Sequence, residues 1–431
     1  MIIRQALGRA QAILELERLK QRANFDSQRK AQVAVDSIIE RVRIEGDAAL
    51  IDLTEHFDGF RPETLLVPEE EIAAAWQACP ASLQQALKLA HQRILDFHQR
   101  QLPNNLVVNG SHGEKLSRRW RPVKNAGLYI PGGRASYPST VLMNAVPARV
   151  AGVDRLVIAT PAGPDGHVNS AVLAAAHLVG IHEVVRVGGA QAIAALAHGT
   201  ESVPQVDVVS GPGNLYVTLA KKAVYGIVGI DSLAGPSEVL IIADHTALAD
   251  QVASDLLAQA EHDPLASSIL LTVNSKLVSA LPDCLESQLR GHPRETVCRK
   301  SLRDWGLIVS CDSLEDCAYL SDIFAPEHLE LLIENPHLLV DRIQHAGAIF
   351  IGPWTPEAVG DYLAGPSHIL PTCGTARYSS ALCVETFLHH TSLIEFNRTA
   401  LKATGDSVSV LANSEGLYSH AHSVQIRLDS L

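Results

Sequence analysis

Two short segments carry side chains that could do chemistry together. Gln259-Ala260-Glu261-His262 sets an amide and an imidazole three residues apart, and Ala325-Pro326-Glu327-His328 sets a carboxylate beside an imidazole. Residues 246–262 read as one helix with the apolar stripe Leu248, Val252, Leu256 and Ala260, stopped near Pro264 because proline disfavours helix in the residue before it. At 3.6 residues per turn Gln259 lies about 20° from Val252, so a polar side chain is directed into the buried stripe. His262 follows one turn later, and groups at i and i+3 near a helix end could share one metal ion. The pair could equally be a hydrogen-bonded glutamine and a histidine favoured by the helix dipole, since glutamine is an uncommon zinc ligand.

Glu327 and His328 precede the apolar run 329–333. On a turn, an acid and an imidazole side by side could both serve one cleft in proton transfer near neutral pH. The alternative is a surface turn leading into a strand. Asp361, His368, His420 and His422 are further candidates, but the chain has 19 histidines and most must be structural or exposed.

Three glycine-rich turns could hold a cofactor: Tyr129-Ile130-Pro131-Gly132-Gly133, Gly188-Gly189-Ala190-Gln191 and Gly211-Pro212-Gly213-Asn214. The last two each follow a β-like run and open a helix-like run, where backbone N–H groups gather at a helix N-terminus and favour phosphate. They could also be no more than tight strand-to-helix turns. The G-x-G-x-x-G fingerprint is absent, because Tyr216 stands where the third glycine belongs.

Short apolar runs recur along the elements that must position these residues, at 155–159, 184–187, 206–209, 239–242, 269–272, 307–309, 329–333 and 348–351. Helix-like stretches of roughly 10–17 residues separate most of them, which predicts parallel sheets covered by helices. Eight runs are many for one open sheet, so two α/β domains are expected. The first 60 or so residues read as helical, with apolar positions Val33, Ile38, Val42, Ala48, Ile51 and Leu53 recurring at helical steps. A second helical stretch spans 69–101, and after residue 380 the tail reads as helical or irregular.

Composition bounds the partners. The 431 residues are 47 % hydrophobic, 19 % charged and only 5 % aromatic, so alanine, valine and leucine must fill the core. A net charge of −12 argues against a nucleic-acid binder, which needs a basic face. Seven cysteines without a C-x-x-C point to core residues in a soluble cytosolic protein, not to a disulfide framework. No signal peptide or membrane span is expected.

From about residue 30 to 425 the chain resembles the histidinol dehydrogenase family. The resemblance rests on long stretches in order. Residues 127–152 read GLYIPGGRASYPSTVLMNAVPARVAG, 188–196 GGAQAIAAL, 210–222 SGPGNLYVTLAKK, 231–239 DSLAGPSEV and 255–264 DLLAQAEHDP. Residues 324–331 read FAPEHLEL, 346–371 AGAIFIGPWTPEAVGDYLAGPSHILP and 415–420 EGLYSH. Departures are Ser367 where the family more often has asparagine before His368, Val384-Glu385-Thr386-Phe387 for Val-Asp-Asp-Phe, and His389-His390 for Lys-Arg; the first 30 residues resemble nothing specific.

The resemblance implies NAD-linked oxidation of L-histidinol to L-histidine in two steps through an aldehyde, in the last steps of histidine biosynthesis. It implies one zinc ion per subunit, held by Gln259, His262, Asp361 and His420. Substrate contacts would fall on Ser237, Gln259, His262, His328, Asp361, Glu415 and His420, and NAD contacts on Tyr129, Gln191 and Asn214. His328 would move protons in both steps and Glu327 would activate water; a cysteine nucleophile is the rival second step. The implied fold is α/β, with two incomplete Rossmann-like domains and small helical terminal parts. Residues 1–23 would form a helical arm, 24–128 with 238–380 the first domain, 129–237 the second, and 381–431 a tail reaching the partner of a cytoplasmic homodimer with shared active sites. The alternatives are a relative oxidising a different amino alcohol and a non-catalytic zinc-binding protein.

Overall fold

The computed structural model describes residues 2–23, 29–132 and 136–430, so Gly133 of the first glycine-rich turn lies outside the described residues. Strands β1 to β7 are Arg4–Leu7, Leu106–Asn109, Lys115–Pro122, Asn125–Tyr129, Arg155–Ala159, Glu183–Val185 and Val208–Ser210. Strands β8 to β14 are Gly229–Ile230, Glu238–Ala243, Ser267–Thr272, Leu307–Ser310, His328–Leu332, Ala348–Ile351 and Leu388–Glu395. All eight apolar runs of the sequence are strands, within two residues at either end.

Two of the three sheets are wholly parallel. One has the order β6-β5-β4-β7-β8 and the other β1-β11-β10-β9-β12-β13. Numbered from their own first crossover strands, β4 and β9, both run 3-2-1-4-5, the Rossmann order lacking its sixth strand. In the six-stranded sheet β1 joins the edge beside β11. Side chains alternate between faces, as strands require. Leu156 and Ile158 enter one core and Val157 and Ala159 another; Val239 and Ile241 face away from Leu240 and Ile242 in the same way. Alanine, valine, leucine and isoleucine dominate all four cores, so both sheets are buried on both faces.

Several expectations change. Residues 1–23 are not purely a helical arm: Arg4–Leu7 pairs with β11, and the helix Gly8–Lys20 packs over that sheet against the helix Leu314–Phe324. The helices of residues 29–98 pack on the helices that flank the five-stranded sheet (Pro138–Ala151, Ser170–Leu178, Gly189–His198 and Leu215–Val224), not with 238–351 as the expected grouping of 24–128 with 238–380 would have it. They are also shorter than the periodicity suggested, broken at Gly46 and at Pro80. Val33, read as part of an apolar stripe, is exposed. The tail holds a strand as well as helices: β14 pairs antiparallel with β3, which also pairs with β2. An isolated ribbon of this kind buries few side chains, so its sequence lacks the continuous apolar signal of the parallel strands.

The glycine-rich turns meet at the carboxyl ends of the five-stranded sheet. Gly211, at φ +117°, lets the chain after β7 pass so close to β4 that a Cβ there would lie 2.1 Å from the Tyr129 carbonyl oxygen. Asp231 holds this turn, its Oδ2 accepting the Gly211 N–H at 2.8 Å. Lys221 closes the arrangement, donating to Asp231 and, at 3.0 Å, to the Gly211 carbonyl. Both side chains of the pair are buried. Removing one partner strands the other's charge, so Lys221→Met is expected to cost about 3–5 kcal/mol. A urea titration should show a lowered midpoint, recovered in part by Lys221→Met combined with Asp231→Leu.

Candidate active site

The carboxylate–imidazole pair sits at the amino end of the six-stranded sheet. Glu327 closes the turn between the helix Leu314–Phe324 and β12, and His328 is the first residue of that strand. The turn is tight: Ala325 adopts φ +55°, a left-handed conformation that costs a non-glycine residue of order 1 kcal/mol. It is pinned by Gly347 and Ala348, whose N–H groups donate at 2.9 Å to the Pro326 and Glu327 carbonyls. Both side chains of the pair are buried, which excludes the surface-turn alternative.

Glu238, the first residue of β9, organises the pair. Its N–H donates to Glu327 Oε2 at 2.9 Å, its Oε2 accepts the Glu327 N–H at 3.2 Å, and its carbonyl lies 3.0 Å from His328 Nδ1. A carbonyl can only accept, so Nδ1 carries the proton and Nε2 presents a lone pair. That Nε2 is buried and has no hydrogen-bond partner. Burial holds the imidazole neutral, pushing it down to about 4, and pushes the Glu327 carboxyl well above the usual carboxylate range.

The sequence-predicted ligands divide. His262 and Asp361 come together, with one ligand atom each within 4.8 Å of the other and of a third residue, Glu357. Gln259 is fully buried near the end of the helix Ala249–Ala260, and neither its Oε1 nor its Nε2 has a partner. The helix begins after Leu248, the first member of the expected stripe, which is instead exposed, and ends before His262. An unpartnered buried amide costs about 1–3 kcal/mol, so this position calls for a ligand the chain itself does not supply. Glu357 is pushed well above its usual range by burial and by Asp361. A divalent cation would reverse that, because a bound metal inverts the local preference for neutral acids. The donor set of amide, imidazole and carboxylates therefore fits a metal ion.

Glu357 was not singled out from the sequence, although the signal existed: it stands four residues before Asp361, on the same face of the helix Glu357–Tyr362. Its N–H donates to Glu330 Oε1 at 2.8 Å. His368 supports Asp361, with Nδ1 2.9 Å from the Asp361 carbonyl and Nε2 3.1 Å from Thr140 Oγ1 on the helix Pro138–Ala151. Through that contact the two α/β units meet beside the cluster. His420 and Glu415 are exposed on the tail, and no cluster among the described residues joins His420 to His262 and Asp361.

The expected cofactor residues gather at the other sheet. Tyr129 ends β4, and its phenol oxygen accepts the Gly189 N–H at 3.1 Å, joining two of the turns; Gln191 lies one turn into the helix Gly189–His198. Asn214 caps the helix Leu215–Val224, its Oδ1 accepting the N–H groups of Tyr216 and Val217. The segment carrying Ser237 links the sites: Thr218 Oγ1 donates to the Ala234 carbonyl at 2.7 Å, and the Gly235 N–H donates to Thr372 Oγ1 at 2.5 Å. Ser237 is half-buried immediately before β9. Cys373 approaches the pair, its N–H donating to Glu238 Oε1, but burial pushes its thiol up to about 12 and leaves it a poor nucleophile.

A family model described as histidinol dehydrogenase matches residues 20–428. The chain belongs to the histidinol dehydrogenase family. It is 68 % identical to the histidinol dehydrogenase of Prochlorococcus marinus (strain MIT 9313), over 98 % of this chain and 95 % of that protein. It is 64 % identical to that of Parasynechococcus marenigrum (strain WH8102), over 99 % and 98 %. The crystal structure of histidinol dehydrogenase from Elizabethkingia anophelis superposes with a TM-score of 0.92 at 36 % identity, covering all of this chain and 98 % of that one.

The imidazole pushed down to about 4 has a consequence for stability. Between pH 4 and the ordinary histidine value near 6.5 the unfolded chain binds the extra proton, so stability rises with pH across that window and is lost as pH falls. The full effect is on the order of 3 kcal/mol. Chelator-treated His328→Asn should therefore show a shallower fall in its urea midpoint between pH 6.5 and 4 than the chelator-treated parent.

Proposed function

We propose that this protein oxidises L-histidinol to L-histidine in two NAD-linked steps through a bound aldehyde, as the last steps of histidine biosynthesis, with one zinc ion per subunit. The observation that carries this reading is the buried Glu327–His328 pair, with a free Nε2, in a family member that also brings His262 and Asp361 together. Gln259, His262 and Asp361 would hold the metal, completed by His420 from a second copy of the chain. When bound, zinc would anchor the imidazole and amino groups of the substrate, and NAD would accept a hydride in each step.

The chain's own groups then handle the protons. His328 Nε2 takes the hydroxyl proton as the alcohol carbon loses hydride. Glu327, whose buried carboxylate is more basic than usual, takes a proton from the water that adds to the aldehyde. His328 returns its first proton to the aldehyde oxygen as water adds, and the resulting diol loses the second hydride while His328 again accepts a hydroxyl proton. Each oxidation thus yields one NADH and one proton, and the product acid releases a third proton as it ionises. Tyr129, Gln191 and Asn214 would meet NAD at the carboxyl ends of the five-stranded sheet. Ser237, Gln259, His262, His328 and Asp361 would face the substrate, joined by Glu415 and His420 of the second copy. A closed site keeps the reactive aldehyde from solvent between the steps.

The homodimer is supported by the tail. Its helices Arg398–Ser414 and Tyr418–Asp429 pack on each other and leave Val410, Leu411, Tyr418 and Ile426 exposed, an apolar surface that a second copy would cover. Among the described residues no helix is long and apolar enough to cross a membrane. Seven unpaired cysteines suit a reducing cytoplasm.

Purified protein should form two NADH per histidinol, lose activity on chelation and regain it with zinc. Turnover of another amino alcohol but not histidinol would overturn the substrate. Glu327→Gln should keep alcohol-to-aldehyde turnover largely intact and block acid formation; an equal fall in both half-reactions would remove the water-activating role.

A further inference from the structure

Arg22 lies far from the catalytic pair in sequence and outside the motifs that first pointed to the family, although within the range 20–428 that the family model matches. Its side chain is nonetheless completely buried. It leaves the end of the N-terminal segment, just past the helix Gly8–Lys20, and reaches the amino end of β9. Its Nη1 donates to the Leu19 carbonyl at 3.0 Å, and its Nη2 donates to the Pro236 carbonyl at 3.2 Å and to Glu238 Oε1 at 2.5 Å. The guanidinium also lies 5.9 Å from the ring centre of Phe324, the residue before the strained Ala325 turn.

Glu238 touches the catalytic pair through three separate atoms: its N–H and Oε2 with Glu327, and its carbonyl with His328 Nδ1. Two buried carboxylates therefore face each other, each taking the other's backbone N–H. Such a pair repels itself when both are charged, and a buried cation offsets that repulsion. Arg22 supplies the charge and fixes the Glu238 rotamer. Its planar fork reaches three acceptors at once, the Leu19 and Pro236 carbonyls and Glu238 Oε1, which a single ammonium group does less well.

We propose that Arg22 is a positioning residue for both oxidations, acting through Glu238 to hold Glu327 at its water-activating position and His328 in its Nδ1-protonated form. This rests on the roles assigned above to Glu327 and His328. It gives the first 23 residues a task. The edge strand β1 and the helix behind it anchor the segment that delivers one arginine to the floor of the site. Neither Arg22 nor Glu238 needs to touch substrate or cofactor.

The test compares full-length Arg22→Met, Arg22→Lys and the parent, each loaded with zinc, in steady-state assays with histidinol and with the aldehyde. Arg22→Met is expected to keep KM for histidinol and NAD within about 3-fold and to lower kcat by about 100-fold, with aldehyde oxidation falling most. Arg22→Lys should recover roughly 10-fold of that loss, because it restores charge without the fork. If Arg22→Met does not fold, Arg22→Lys carries the same comparison, with kcat lowered about 10-fold and KM held. A second readout is independent of turnover: nitrogen-15 NMR of histidine-labelled protein should show His328 protonated at Nδ1 in the parent and a mixture of tautomers in the variants. Wild-type kcat in both substitutions, a rise in KM alone, or an unchanged His328 tautomer in the variants would each overturn the positioning role. A parent that shows the Nδ1-protonated signal and a variant-dependent tautomer but oxidises no histidinol would instead overturn the proposed activity and leave the positioning role standing.

Discussion

Burying ionisable groups at the amino end of a parallel sheet imposes a strict condition: every polar atom must find a partner or be completed by a ligand. Glu238, Glu327, His328, Glu330 and Glu357 are all buried there, and most of their polar atoms bond to a neighbouring backbone. The reciprocal bonds between Glu238 and Glu327 tie strand β9 to the turn before β12. Arg22 offsets the charge, and the Glu238 carbonyl selects the imidazole tautomer. The unpartnered atoms among these groups are His328 Nε2, both amide atoms of Gln259, one oxygen each of Glu330 and Glu357, and Arg22 Nε. The atoms of His328, Gln259 and Glu357 are of the kind that proton transfer and metal binding require.

The two parallel sheets share one strand order but gather their notable polar groups at opposite ends. Ligands of open α/β sheets usually collect at the carboxyl ends, where the strand order reverses. In the five-stranded sheet Tyr129 and the Gly211 turn stand at that switch, between β4 and β7. At the corresponding point of the six-stranded sheet, between β9 and β12, Asp244 accepts the N–H groups of Thr246 and Glu334 at 2.8 Å. Amides that could have met a phosphate are already taken, and the carboxylate would repel one. This half of the molecule presents its chemistry at the amino ends instead, and the segment 232–237 and the Thr140–His368 contact bring it toward the other sheet.

Much of this was legible in the residues. Eight parallel strands stand out as apolar runs, two of them, Glu183–Val185 and Ala348–Ile351, at sheet edges, whereas the central strand Asn125–Tyr129 does not. Arg4–Leu7 and Leu388–Glu395 carry no such run either and look like any mixed segment. Helix breaks were less legible, because Val252, Leu256 and Ala260 kept their period while Leu248 fell outside the helix. At the site, Gln259 betrayed itself as an amide on an apolar stripe. Glu357 gave a weaker sign, its spacing of four residues from Asp361, because a glutamate in the first turn of a helix is ordinary by the helix dipole alone. Arg22 left no trace, since one arginine at a helix end looks solvated until the fold buries it.

By itself the sequence determined most of the buried elements, the parallel α/β architecture, the family, and the residue types available for proton transfer and metal binding. These are matters of local periodicity and of long ordered motifs, both of which survive without coordinates. Only the tertiary structure decided which of 19 histidines meets which carboxylate, that the helices of residues 29–98 pack on the helices flanking the five-stranded sheet, and that Glu327 and His328 are buried and not on the surface. Those outcomes depend on contacts between segments hundreds of residues apart, such as Arg22 with Glu238 and Thr140 with His368. Burial and charge neutralisation belong to the packed ensemble of side chains, and no window of sequence contains them.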